Sequence, residues 1–145
     1  MVQYTNNTKK LLQTAEPGQG AVYREEGSKP RPREIESANW LVNYLGGDVR
    51  FLAESREQGI ETADITWRGG LLEMKHLGGN LNTLRRKIGR GLQQSQGNGL
   101  LIDTTNMRFA VDDILSTAID AMSTYKGRYL ILIKDDELIG YIHRK

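Results

Sequence analysis

The stretch "ADITWRGGLLEMKHL", residues 63–77, decides how this chain is read. Apolar and polar residues alternate on both sides of Gly69-Gly70, the pattern of two half-buried strands joined by a tight turn. Asp64, Glu73 and Lys75 interrupt what would otherwise be a plain apolar hairpin. Side chains alternate along a strand, so Glu73 and Lys75 share one face while Leu72, Met74 and His76 share the other. A glycine pair favours the centre of a two-residue turn. With Gly69 and Gly70 there, Trp67 pairs with Leu72, Thr66 with Glu73, Ile65 with Met74, and Asp64 with Lys75. Opposed residues of an antiparallel pair project to the same side, so the three charges converge. A slip of one residue would scatter them.

The flanking sequence supplies the rest of an α/β fold. "PREIESANWLVNYLGG" places Ile35, Ala38, Leu41, Val42 and Leu45 on one helical face, and Gly46-Gly47 ends the helix. On that helix Glu34 lies about 40° from Ala38 and borders the buried face, while Glu36 points to the opposite side. "DVRFLAE", "TADITW" and "LLEMKHL" read as three strands, and "NLNTLRRKIGRGLQQSQ" as a helix with Leu81, Leu84, Ile88 and Leu92 inward. Asn80 is placed to cap that helix. "GLLIDTT" is a strand of the buried type, "VDDILSTAIDAMSTY" a third helix, and "RYLILIKDDELIGYIHR" a hairpin turning at Asp135-Asp136. The order α-β-β-β-α-β-α-β-β predicts helices flanking a mixed central sheet.

Residues 1–32 differ in character. All three prolines and several glycines fall there, which breaks regular structure. They read as an N-terminal linker or partly ordered segment, with one or two helical turns in "TNNTKKLLQTA", and residues 33–145 as the working domain. At 145 residues the chain suits a single domain. It has no cysteine, which excludes thiolate metal sites, cysteine nucleophiles and a disulfide scaffold. No apolar run approaches the ~20 residues that span a bilayer. There is no phosphate-binding glycine loop, no G-x-S-x-G and no H-E-x-x-H. The histidines, His76 and His143, form no spaced pair, and a regular strand turns His76 away from Glu73 and Lys75.

Two carboxylates a few ångström apart repel each other unless a cation intervenes. Mg²⁺ takes one or two carboxylates together with water and phosphate oxygens, which suits Asp64 and Glu73. Lys75 beside them could stabilise an anionic transition state or orient an attacking water. A solvated strand face with an Asp64–Lys75 salt pair accounts for the same residues without chemistry.

The succession of a glutamate-bearing helix, a strand, a strand with Asp64, a strand with Glu73-Met74-Lys75 and a second helix resembles the PD-(D/E)xK nuclease superfamily. More narrowly, "REIESANWLVNYLGGDVRFLAE", "TADITW" and "LLEMKHL" resemble the C-terminal nuclease domains of contact-dependent growth-inhibition and related polymorphic toxins. The resemblance spans about residues 33–103, with Ala63 where the family most often has proline. It implies Asp64 and Glu73 as ligands of Mg²⁺ or Mn²⁺, Lys75 as the catalytic lysine and Glu34 as the helix carboxylate completing the site, with Glu36 as the fallback. It also implies hydrolysis of phosphodiesters inside the cytoplasm of a target bacterium; toxins with this core divide between tRNA and DNA, and the nearer resemblance is to those that act on tRNA. Delivery would be as part of a larger secreted or surface toxin, with a cognate immunity protein in the producing cell.

The second helix suits such a substrate. Arg85, Arg86, Lys87 and Arg90 crowd one stretch and could neutralise phosphates flanking the scissile one, and Gln93 could hydrogen-bond the nucleic acid. A solvated basic face is the bland alternative. A repair or restriction enzyme cutting DNA, and a nuclease-like fold that only binds nucleic acid, fit the same residues.

Overall fold

The computed structural model describes residues 2–4, 18–53, 65–68, 70–94, 99–125 and 128–144, with backbone alone at 2–4, 93–94 and 144. The helical turns expected in residues 5–15 fall outside the described residues. Strands β1 (Val2–Tyr4) and β2 (Val22–Arg24) precede helix α1 (Pro32–Tyr44). Strands β3 (Val49–Phe51), β4 (Ile65–Trp67) and β5 (Gly70–Gly78) follow, then α2 (Leu81–Gln94) and β6 (Gly99–Asn106). Helix α3 (Val111–Met122) and the hairpin of β7 (Tyr129–Lys134) and β8 (Glu137–Arg144) complete the chain. From α1 onward this is the order expected from sequence. The stretch read as linker contributes further: β1 pairs with β8 and β2 with β3 at the two edges of the sheet.

The eight strands form one mixed sheet in the order β1-β8-β7-β6-β5-β4-β3-β2. Strands β5, β6 and β7 run parallel at its centre, and the remaining pairs are antiparallel apart from β2–β3. Alternation along the central strands divides the apolar residues between two layers. Leu72, Met74, Leu101, Ile131 and Ile133 join Ala38, Leu41, Val42 and Leu45 of α1. Leu77, Leu100, Ile102, Leu130 and Leu132 join Leu84, Ile88 and Leu92 of α2 and Ile114, Ala118 and Met122 of α3. The helices therefore sandwich the sheet, α1 on one face and α2 with α3 on the other. Asn80 caps α2 as expected, its Oδ1 accepting the Thr83 N–H at 3.0 Å.

The β4–β5 turn departs from the sequence reading. Trp67 pairs with Gly70, Thr66 with Leu71 and Ile65 with Leu72. Arg68 and Gly69 thus lie between the paired residues, in place of Gly69 and Gly70, and Arg68 adopts φ 54°. Left-handed backbone costs a non-glycine residue roughly 1–2 kcal/mol. Arg68 offsets part of that cost. Its guanidinium lies 4.5 Å from the Trp67 ring centroid and its Nη2 donates to the Leu45 carbonyl at 3.2 Å. Trp67 is buried, with its indole N–H donating to the Gly46 carbonyl at 3.1 Å. Seating Trp67 against the end of α1 selects this register over the one a glycine pair prefers. The shift is two residues, so every side chain keeps its face.

At this same end of the central strands Tyr129 lies against Gly99, its rung partner on β6. A Cβ added at Gly99 would overlap the Tyr129 ring. Gly99→Ala is therefore expected to lower stability by about 1–3 kcal/mol, read from urea denaturation, because the Tyr129 ring would have to leave its place against β6. Burial also pushes the Tyr129 phenol well above its ordinary value of 10.0, and Tyr141 is raised for the same reason. The folded chain then holds protons that the unfolded chain releases, so stability is full below pH ~10 and declines as pH rises beyond it. Tyr129→Phe is expected to flatten that alkaline decline in a series of denaturation curves.

Candidate active site

Glu73 and Lys75 stand two residues apart on β5, an inner strand, on the face covered by α2. Lys75 Nζ lies 3.3 Å from Glu73 Oε1, and the two side chains are only 22% and 17% exposed. Such a pair is sheltered enough that its charges are weakly screened. Glycine at position 91 lets α2 approach this closely. A Cβ there would meet Leu100 at 3.0 Å and the Lys75 Cε at 3.3 Å.

The pair opens into a cavity of about 760 Å³. Its walls include Phe51 and Leu52, residues Glu73 to His76 of β5, and the unbroken run from Ser28 to Glu34. Glu34 thus reaches the same cavity as Glu73 and Lys75, although its helix packs on the opposite face of the sheet. One of its oxygens is engaged: Oε1 accepts the Arg31 N–H at 2.9 Å, capping α1. Asp64 lies outside the described residues. Among those described, no group of three or more histidine, cysteine, aspartate or glutamate side chains is gathered at one point. The oxygen donors that line the cavity, Glu34 and Glu73, are the hard ligands that Mg²⁺ or Mn²⁺ prefers.

His76 occupies the α1 side of β5, as alternation requires, yet it also lines this cavity. Its Nε2 lies 3.2 Å from Ser37 Oγ and 3.8 Å from Asp103 Oδ2. A smaller hollow of about 200 Å³ shares His76 and Arg33 with the larger one and includes Glu36. Glu36 therefore sits beside the main cavity, whereas Glu34 lines it.

The basic residues of α2 separate into two flanks. Arg85 is paired with Asp120 of α3 across the surface. At ~100° per residue, Arg85 lies about 120° round the helix from Gly91 in one sense, and Lys87 and Arg90 about 40° and 100° in the other. Helix α3 packs on β8 and β1, so the Arg85 flank faces away from the site and the Lys87–Arg90 flank lies on the β5 side. Arg86 is exposed further round the helix. Gln93 is in the last turn of α2, and its side chain is outside those described.

The Ser28–Arg33 wall went unread in the sequence. Its two prolines suggested a linker, and the signal available was three cations in "SKPRPRE" immediately before the helix glutamate. No helix among the described residues is long and apolar enough to cross a membrane.

No family model matches this chain, and no curated protein matches it. Among solved structures, the fold is similar to a chain of the CdiA-CT/CdiI toxin and immunity complex from Burkholderia pseudomallei. The two share 17% sequence identity over 83% of this chain and 98% of that chain, with a TM-score of 0.62. At that identity the likeness is one of fold: a mixed sheet flanked by helices.

Proposed function

We propose that this chain is a toxin domain of the PD-(D/E)xK type that hydrolyses phosphodiesters in tRNA with the help of Mg²⁺ or Mn²⁺. The observation that carries the reading is the sheltered Glu73–Lys75 pair opening into the cavity that Glu34 also lines. The solved complex contains both a toxin and an immunity protein. A carboxylate–lysine pair held in a cavity suits the toxin half, because binding an immunity partner needs no such pair.

In this reading Glu73 and Asp64 would hold the cation, and Glu34 would add its second carboxylate oxygen. A bound divalent cation would lower the pKa of water and neutralise phosphate charge. Lys75 places a fixed positive charge beside Glu73, where it can hold the attacking water or stabilise charge building on the phosphate. The reading requires Asp64 to face Glu73. In sequence Asp64 directly precedes Ile65, the partner of Leu72, and Glu73 directly follows Leu72. Lys87 and Arg90 supply phosphate contacts beyond the scissile bond. The domain would be delivered into the target-cell cytoplasm by a larger toxin, and the producing cell would need an immunity protein that covers the site.

Purified protein incubated with total tRNA and with plasmid DNA is expected to cut tRNA in Mg²⁺ and to stop in EDTA. Glu73→Gln, Lys75→Met and Asp64→Asn should each lower the rate by about 10²-fold or more, the scale set by loss of one transition-state contact. Absence of cleavage by folded protein in any divalent cation would overturn the reading, and cleavage of DNA alone would reassign the substrate. Cytoplasmic expression should arrest growth, whereas an immunity-type chain would leave growth unchanged. Gly91→Ala is expected to reduce cleavage while the protein still folds, because the added methyl presses on Lys75 as well as on Leu100.

A further inference from the structure

The wall that residues 28–33 give the cavity has properties that catalysis at Glu73 and Lys75 does not explain. Ser28, Lys29, Pro30, Arg31, Pro32 and Arg33 line the cavity consecutively. Lys29, Arg31 and Arg33 are exposed, and none of them forms an ion pair among the described residues. The segment is fixed at both ends. The Glu25–Ser28 turn is tied to β3 by the Glu25 N–H donating to the Phe51 carbonyl at 2.9 Å and the Ala53 N–H donating to Glu25 Oε2 at 3.1 Å. At the other end Arg31 is the cap residue of α1, held by Glu34. Two prolines with restricted φ stiffen the strap between these anchors.

A second observation is independent of charge. Ser28 is only 8% exposed, and its hydroxyl has no hydrogen-bond partner among the described residues. A buried hydroxyl without a partner costs about 1–3 kcal/mol. Ser28 lines the cavity beside three unpaired cations, so a ligand with oxygen acceptors that reaches its hydroxyl would satisfy all four groups together.

We propose that the Ser28–Arg33 strap is a phosphate-binding wall that holds the backbone of a nucleic-acid strand next to the scissile phosphodiester. Lys29, Arg31 and Arg33 neutralise successive phosphates, and the Ser28 hydroxyl donates to a phosphate oxygen. The identity of the polyanion rests on the nuclease reading above; the site itself rests on the strap. Because the anchors and prolines pre-order the strap, little conformational entropy is lost on binding. The strap lines the same cavity as the β5 residues, whereas Lys87 and Arg90 flank the site from α2.

Binding of fluorescent total tRNA to the full chain in EDTA, measured across a salt series, separates the strap from the chemistry. The triple variant Lys29→Gln, Arg31→Gln, Arg33→Gln is expected to bind roughly tenfold more weakly and to lower the slope of log affinity against log salt by about 2. Ser28→Ala should weaken binding about 2- to 10-fold while melting no lower than the parent, since it removes an unpaired buried hydroxyl. A hydroxyl that only supports the fold would not show that combination. Unchanged affinity and salt slope in a folded triple variant would overturn the strap while leaving cleavage at Glu73 and Lys75 untouched. Loss of binding in the triple variant, from a chain that cleaves nothing, would uphold the strap and sink the nuclease reading. No tRNA binding by the parent chain would overturn the strap.

Discussion

Trp67 sets the register on which the rest of the structure depends. Its indole is buried against the end of α1, and its N–H is satisfied by the Gly46 carbonyl. Withdrawing that ring would expose a large apolar surface and leave a buried carbonyl unpaired, each a substantial loss. With Trp67 fixed opposite Gly70, the faces of β5 follow by alternation. Leu72 and Met74 must go under α1, and Glu73, Lys75 and Leu77 must go under α2. The candidate site is thus positioned by apolar packing on both sides of it. The charged residues take the places that the core leaves to them.

That dependence explains what could be read from the sequence. Alternation is parity, and moving the turn by one residue shifts the register by two, which conserves parity, so the shared face of Glu73 and Lys75 was legible although the rungs were not. Helix faces were legible for the same kind of reason: Ala38, Leu41, Val42 and Leu45 recur at helical spacing and are buried. The turn itself was misread because its preference is local, while the contacts that decide it, Arg68 with Leu45 and Trp67 with Gly46, join residues 21 to 23 positions apart. The strap was hidden differently. Prolines in "KPRPR" signal loss of regular structure, and irregular structure held at both ends is indistinguishable in sequence from a free linker. The cavity that gives the strap meaning comes only from tertiary packing.

The same tertiary view sorts the basic helix. Four cations within six residues look equivalent on paper. Arg85 is engaged by Asp120 on α3, and a surface pair of this kind is worth little in stability. It nevertheless occupies the guanidinium and holds it on the flank of the helix away from the candidate site. Lys87 and Arg90 lie on the flank over β5, on the same side as Gly91, where α2 comes closest to Lys75. A helix able to sit down on the sheet at Gly91 therefore brings cations near the site without filling it.

The Glu73–Lys75 pair bears most directly on function. On an inner strand, under a helix, position after position is filled by leucine, isoleucine or methionine, as on β6 and β7. Replacing a sheltered ion pair with apolar residues of similar volume is often neutral or stabilising, because the desolvation of two charges consumes most of their attraction. Stability alone therefore gives no reason to place a glutamate and a lysine there. Their neighbours sharpen the point. Leu77 lies in the apolar layer on that same face, so the face is able to bury apolar side chains two residues further on. A local rule broken at one point of an otherwise consistent strand marks a functional site more often than an accident of packing. Here the break coincides with a cavity that the first turn of α1, the strap and β5 all line.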